Sequence, residues 1–149
     1  MRCVIQRVSG AHVTVDKQVT GSINKGFMIL LGIEENDEVE DLDYLVKKIS
    51  GMRIFEDEEG KMNLNLEAVK GDILLISQFT LYGNTRKGNR PSFVRSARPE
   101  KAEAMYEEMA RKLRERGHRV EMGVFGAHMD VELVNDGPVT ILLDSRKDF

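Results

Sequence analysis

Only two stretches of this chain carry the 3.6-residue periodicity of an amphipathic helix, and the remainder reads as strands and turns. From Asp41 the apolar residues Leu42, Leu45, Val46 and Ile49 fall at i, i+3, i+4 and i+7 with Gly51 just beyond, which predicts a helix over Asp37 to Ser50. The second begins at Pro99, a residue suited to a first helical turn, and repeats Ala102, Met105, Tyr106, Met109 and Leu113 before Gly117. Ahead of them Val4, Val8, Val13 and Val15 alternate with polar residues as strands do, Gly21-Ser22 marks a turn, and GFMILLGIE at 26–34 reads as a buried strand. Between the helices, Arg53 to Phe55 is a short strand, EDEEGK is an acidic turn, NLNLEAVKGD is irregular, and DILLISQFTL at 72–81 is an apolar strand. The last third predicts strands around Val120 to Met122, Met129 to Val134 and Val139 to Leu143, with NDGP turning between the last two. Two helices are too few for a doubly wound parallel sheet. The expected fold is α+β, a large mixed or antiparallel sheet curled toward a barrel with two main helices.

A chain of 149 residues fits one domain, 1–149, and 41% hydrophobic with 32% charged residues describes an ordinary globular protein. The single cysteine, Cys3, can form no disulfide within the chain and reads as strand filler, which favours a reducing, cytoplasmic setting. The opening MRCVIQRVSG lacks the apolar core of a signal peptide, and the longest apolar run, Phe27 to Leu31, is too short to span a bilayer, so no membrane partner is expected. Net charge is -3, yet Arg86, Lys87, Arg90, Arg95 and Arg98 lie between Gly83 and Pro99 with no acidic residue among them. A charge run of this kind is usually a solvated loop; its alternative is contact with phosphates.

Several chemistries are missing. His12, His118 and His128 share no ligand spacing with one another or with Cys3, so neither a metal nor any other cofactor is expected. There is no P-loop, no G-x-G-x-x-G after a strand and no G-x-S-x-G elbow. The acidic runs Glu34 to Asp41 and Glu56 to Glu59 lack the alternating oxygen ligands of a calcium loop.

Two segments stand out. If 72–81 is one strand, alternation puts Ser77, Phe79 and Leu81 on one face and Gln78 and Thr80 on the other. Taken alone, such a strand more often just turns its polar face to solvent. In Asn135-Asp136-Gly137-Pro138-Val139-Thr140 the proline fixes its own φ and its peptide bond can be cis, so Gly137-Pro138 can present two carbonyls in a fixed orientation. By composition alone, a tight turn is the better reading there.

Together SQFTL at 77–81, NDGPVT at 135–140, RPSF at 90–93, VIQRV at 4–8 and the RIF-x-D-x-x-G-K-M-N stretch at 53–63 resemble the D-aminoacyl-tRNA deacylase family, in the same order and over essentially the whole chain. The resemblance implies a homodimer with active sites at the subunit interface, and tRNA as the substrate-bearing partner. It implies that Ser77, Gln78, Phe79 and Thr80 line the pocket for the adenosine end of the tRNA and its amino acid. Gly137 and Pro138, with Val139 beside them, become a dipeptide filter entering the partner subunit's pocket, its carbonyls meeting the substrate's α-ammonium group, and Arg7 its brace. Such a filter rejects an L side chain and admits glycine, so glycyl-tRNA is an expected side substrate. The motif holds no histidine or carboxylate to activate Thr80, which favours a positioning role for that hydroxyl and substrate-assisted hydrolysis. Arg86, Lys87, Arg90 and Arg95 become candidates for acceptor-stem phosphates. Two rivals are a non-catalytic nucleic-acid binding module of the same fold and a hydrolase of small D-amino-acid esters; DSRKDF after the last apolar strand residue leaves little room for a C-terminal nucleic-acid-binding extension.

Overall fold

The computed structural model describes residues 1–149. In chain order it contains β1 (Arg2–Val15), β2 (Gln18–Ile23), β3 (Gly26–Gly32), α1 (Val39–Gly51), β4 (Phe55–Glu56), β5 (Met62–Leu64), β6 (Asp72–Ser77), a 3-10 turn (Phe79–Tyr82), α2 (Pro99–Glu115), β7 (Val120–Met122) and β8 (Asp130–Asp144). Both helices form where the periodicity placed them. Leu42, Leu45, Val46 and Ile49 are buried along α1, and its start moves from Asp37 to Val39 because the Glu38 N–H is capped by the Asp41 carboxylate at 2.9 Å.

The sheet is mixed. β1 pairs antiparallel with β3 and β2 along one edge and with β8 along the other, while β3 to β6 and β6 to β7 are parallel steps. A parallel step needs a crossover, and α1 and α2 supply one each. The order β1-β3-β6-β7 takes both steps in the same direction, so right-handed crossovers put both helices on one face.

Strand alternation then splits the apolar residues between two cores. Phe27, Ile29, Leu31, Ile73 and Leu75 point into the helix-covered core, whereas Met28, Leu74 and Ile76 point into a smaller one on the opposite face. Strand β1 serves both. Cys3 and Ile5 belong to the helix side; past a register irregularity between Val8 and Gly10 the phase reverses, and Ala11 and Val13 enter the smaller core. The far half of β1, with β2 and the start of β8, thereby curls over the second face. Gly21 of β2 comes so close to β7 that an added Cβ would lie 2.8 Å from the Met122 carbonyl oxygen, which nearly closes the barrel. Burial also pushes the Cys3 thiol up to about 12, leaving it an inert core group.

Five local expectations change, the first at Gly21-Ser22, which is not a turn but part of β2, paired with Val13 and His12. The opening strands are one continuous β1, and the irregular stretch after the acidic turn contributes β5, which pairs with β4 in a small hairpin. Strand β6 ends at Ser77, because its pairing with β3 stops at Leu31 and the chain then folds over Gly32. The two strands expected within 129–143 are one strand, Asp130–Asp144: residues on both sides of NDGP pair antiparallel with β1, so NDGP is an outward loop inside β8 and not a turn between two strands. No helix is long and apolar enough to cross a membrane.

Truncating Leu45, fully buried where α1 meets the sheet, is expected to cost about 3 kcal/mol, and Tyr106→Phe only about 1 kcal/mol. The phenol donates to the Leu75 carbonyl at 2.7 Å, and that oxygen keeps the Gly123 N–H when the phenol is lost. Urea midpoints of the two variants check the order.

Candidate active site

At the end of β6 the Gln78 N–H donates to the Leu31 carbonyl at 2.7 Å, the last bond that follows the strand direction. The 3-10 turn then lies across Gly32, where a Cβ would sit 3.0 Å from Leu81 Cβ and 3.1 Å from the Gln78 carbonyl oxygen, so any side chain at 32 would displace the turn. Gln78 and Thr80 are brought together by this turn and not by strand alternation: Gln78 Nε2 donates to Thr80 Oγ1 at 2.5 Å. Thr80 has no histidine or carboxylate among its hydrogen-bond partners. Phe79 is 57% exposed and meets Phe93 edge to face at 5.1 Å.

Ser77, Gln78 and Phe79 form one rim of a cleft of about 540 Å³. The rest of its lining is mostly apolar and includes Leu31, Ile76, Ala97, Ala102, Phe125 and Met129. Thr80 stands beside this cleft and is not part of its lining. A cleft of this size, mostly apolar with a few polar groups, has the character of a small-molecule site.

The other predicted group is built around β1. Gln6 pairs with Thr140 and Val8 with Asn135, so residues 136–139 loop out opposite Arg7. The Gly137–Pro138 peptide is cis and Gly137 has φ +133. Arg7 is 5% exposed; its Nε donates to the Asp136 carbonyl at 3.0 Å and its Nη1 to the Ile54 carbonyl at 2.7 Å. A Cβ on Gly137 would lie 3.1 Å from Arg7 Nη2, so loop and guanidinium are fitted to each other. At the base of the loop Asn135 Oδ1 accepts the Val139 N–H at 2.9 Å, and Gln6 Oε1 accepts from Thr140 Oγ1 at 2.6 Å and from the Asn135 amide. Gln6, Asn135 and Thr140 thus staple the loop shut. Sequence reasoning did not single out Gln6 or Asn135; a polar residue facing a polar residue across two strands becomes visible only when the register is known.

One chain does not bring these two groups together. Ser77 pairs with Leu31, which pairs with Cys3, whereas the Gly137–Pro138 loop stands opposite Arg7. Four residues along β1 separate the two levels by about 13 Å, and neither Gly137 nor Pro138 lines the cleft.

Charges near the cleft divide into paired and free. Arg86, Lys87 and Arg90 are exposed at the tip of a loop closed by mutual Asn84 and Ser92 backbone bonds, and none of the three has a salt-bridge partner. Arg95 differs: its Nε bonds Glu34 Oε1 at 2.6 Å and its Nη2 bonds Asp148 at 3.3 Å. The hydrogen bond to Glu34 first, then that to Asp148, raises the Arg95 guanidinium above its usual range. Arg95 is therefore engaged within the protein, unlike the other three. Arg95 and Arg2 both lie over the Tyr82 ring, at 5.5 and 4.7 Å, and burial together with Asp37 and Glu34 pushes that phenol well above its usual range. His12 and His128 lie 3.6 Å from Glu132 and Asp130, and burial lowers half-buried His118.

The sequence profile described as D-Tyr-tRNA(Tyr) deacylase matches residues 4–144. Proteins named D-aminoacyl-tRNA deacylase from Clostridioides difficile (strain 630) and Thermotoga petrophila are 56% and 54% identical over 149 residues, covering the whole of both chains. Among solved structures, one called c-Myc DNA Unwinding Element Binding Protein is 40% identical, with a TM-score of 0.90 over 97% of this chain and 98% of that one. Another, of a probable eukaryotic D-amino acid tRNA deacylase, is 20% identical and shares the fold with a TM-score of 0.85 over 96% of this chain and 98% of that one. The chain belongs to the D-Tyr-tRNA(Tyr) deacylase family, a family of enzymes.

Replacing Asn135 by Ala leaves the Val139 N–H without its acceptor. Global stability should fall by about 1 kcal/mol, and amide exchange at Val139 should rise at least about tenfold, measured by hydrogen exchange. Unchanged protection at Val139 would exclude the staple.

Proposed function

We propose that this protein hydrolyses the ester bond of D-aminoacyl-tRNA, releasing the D-amino acid and free tRNA. The observation that carries the reading is full-length identity above one half with proteins named for that activity, coinciding with a cleft rimmed by Ser77, Gln78 and Phe79. The cleft receives the terminal adenosine and the amino acid, with Phe79 offering an exposed ring face for the base.

Chiral selection falls to Gly137 and Pro138, with Val139 at their flank and Arg7 as the brace. Because the loop does not line its own chain's cleft and stands about 13 Å further along the strand direction, we assign it to the cleft of a second copy, in a homodimer with active sites at the interface. Carbonyls that hold the α-ammonium group leave one tolerable place for the side chain, and glycine, having none, is admitted. Glycyl-tRNA is then a second substrate.

For the chemical step, water adds to the ester carbonyl carbon and the carbonyl electron pair moves onto its oxygen. Collapse of that oxyanion breaks the bond to the ribose oxygen, which leaves with the proton given up by the water, relayed by the neighbouring ribose hydroxyl. Backbone N–H groups around Phe79 and Thr80 stabilise the oxyanion, and Thr80, whose hydroxyl is bonded only to Gln78, positions and does not attack. The unpaired Arg86, Lys87 and Arg90 meet acceptor-stem phosphates, with Arg95 anchoring the loop that carries them.

A second reading, nucleic-acid binding without catalysis, is favoured by the name of the solved structure that is 40% identical. Purified protein with a metal chelator should release amino acid from D-tyrosyl-tRNA and leave L-tyrosyl-tRNA intact; cleavage of neither would favour the binding reading. Replacing Arg86, Lys87 and Arg90 together by Ala should weaken tRNA binding and flatten the log-log dependence of affinity on salt by about 2 to 3. An unchanged slope would remove the loop from the tRNA contact.

A further inference from the structure

The residues that follow the basic loop carry a feature that no motif marks. Segment 95–98 is stitched to the end of β3 by an antiparallel bridge between Glu34 and Ser96, by the Ala97 N–H on the Ile33 carbonyl at 2.9 Å, and by the Glu35 N–H on the Arg95 carbonyl at 3.1 Å. The ion pair of Arg95 with buried Glu34 and the Arg98 N–H on Glu35 Oε2 at 2.8 Å fix it further. On this strip half-buried Ser96 lines the cleft, and its hydroxyl donates to the Phe79 carbonyl at 3.1 Å.

We infer that Ser96 is a positioning residue for the deacylation: its hydroxyl fixes the Phe79–Thr80 peptide plane, and with it the direction of the Thr80 N–H and the seat of the Thr80 hydroxyl beside Gln78. The inference rests on the deacylase reading. A trans peptide holds its C=O and N–H antiparallel, so a donor that pins the Phe79 carbonyl also pins the Thr80 N–H, on the side away from the strip. A donor to the carbonyl further polarises the amide and strengthens its N–H as a donor. The backbone beneath Ser96 is already immobilised, so the hydroxyl acts from a fixed support, as electrostatic preorganisation requires. Arg2 Nη1 on the Leu81 carbonyl at 3.3 Å and the turn's own bonds, the Leu81 N–H on the Gln78 carbonyl at 3.3 Å and the Gly83 N–H on the Thr80 carbonyl at 2.9 Å, hold its frame, and Ser96 is the side chain that bonds the Phe79 carbonyl.

The test compares wild-type protein, Ser96→Ala and Ser96→Thr on D-tyrosyl-tRNA, with unfolding midpoints recorded for all three. Ser96→Ala should lose about tenfold in kcat, the rate equivalent of one hydrogen bond, with KM within about twofold and chirality unchanged. Ser96→Thr, which keeps the hydroxyl, should recover most of the rate, and amide exchange at Thr80 should be faster in Ser96→Ala alone. A Ser96→Ala enzyme with wild-type kcat, or a loss that Ser96→Thr does not recover, overturns the assignment. An inactive wild-type protein overturns the deacylase reading, and the assignment with it. If Ser96→Ala fails to fold, rates and Thr80 exchange in Ser96→Thr and Ser96→Gly decide: equal values in the two overturn the assignment, and a slower, faster-exchanging Ser96→Gly upholds it.

Discussion

Strand β1 has no free edge, and the rest of the molecule is arranged around that fact. One side carries β3 and then β2, the other carries β8 from end to end. A strand so enclosed must satisfy every backbone group on both sides, so a local mismatch cannot be absorbed by solvent and has to be built into the structure. The mismatch occurs at Arg7, where β8 supplies four residues, Asp136 to Val139, between the partners of Gln6 and Val8. The surplus becomes the outward Gly137–Pro138 loop, and the phase change just beyond lets the same strand serve a second core.

A buried guanidinium at that position is costly unless its donors are used. Arg7 meets this requirement through the carbonyls of Asp136 and Ile54, one on each neighbouring segment. The brace therefore belongs to the fold before it belongs to any reaction. What it offers to chemistry is a loop fixed at its base, by Arg7 at the Asp136 carbonyl, by Asn135 at the Val139 N–H and by Gln6 at the Asn135 amide.

The cleft at the other end of the sheet follows the same pattern, with backbone groups as the polar elements and side chains holding them. Gln78, Phe79 and Thr80 sit on a turn that exists because Gly32 leaves room beneath it, and Ser96 and Arg2 bond to its carbonyls. Ion pairs of Arg95 with Glu34 and of Arg2 with Asp144 lie under this turn, and hydrogen bonds from Arg95 and then Arg2 hold Asp148 below the usual carboxylate range. A site of this kind needs no strongly shifted acid or base in its rim.

Periodicity by itself determined the two helices, the buried strands β3 and β6, the α+β class and the barrel tendency, because burial of an apolar stripe or alternating face is a local property of the sequence. Short motifs marked Ser77 to Thr80, Gly137–Pro138 and Arg7. Only the tertiary structure decided that β6 stops at Ser77, that NDGP loops out of one strand, that Arg95 is engaged by Glu34 and Asp148 while Arg86, Lys87 and Arg90 are free, and that Gln6, Asn135 and Ser96 support the candidate groups. Each of these turns on a partner far away in sequence, such as Asn135 for Val8 or Phe79 for Ser96. Register and cross-strand hydrogen bonds are pair properties, and no window along a single chain contains both members of the pair.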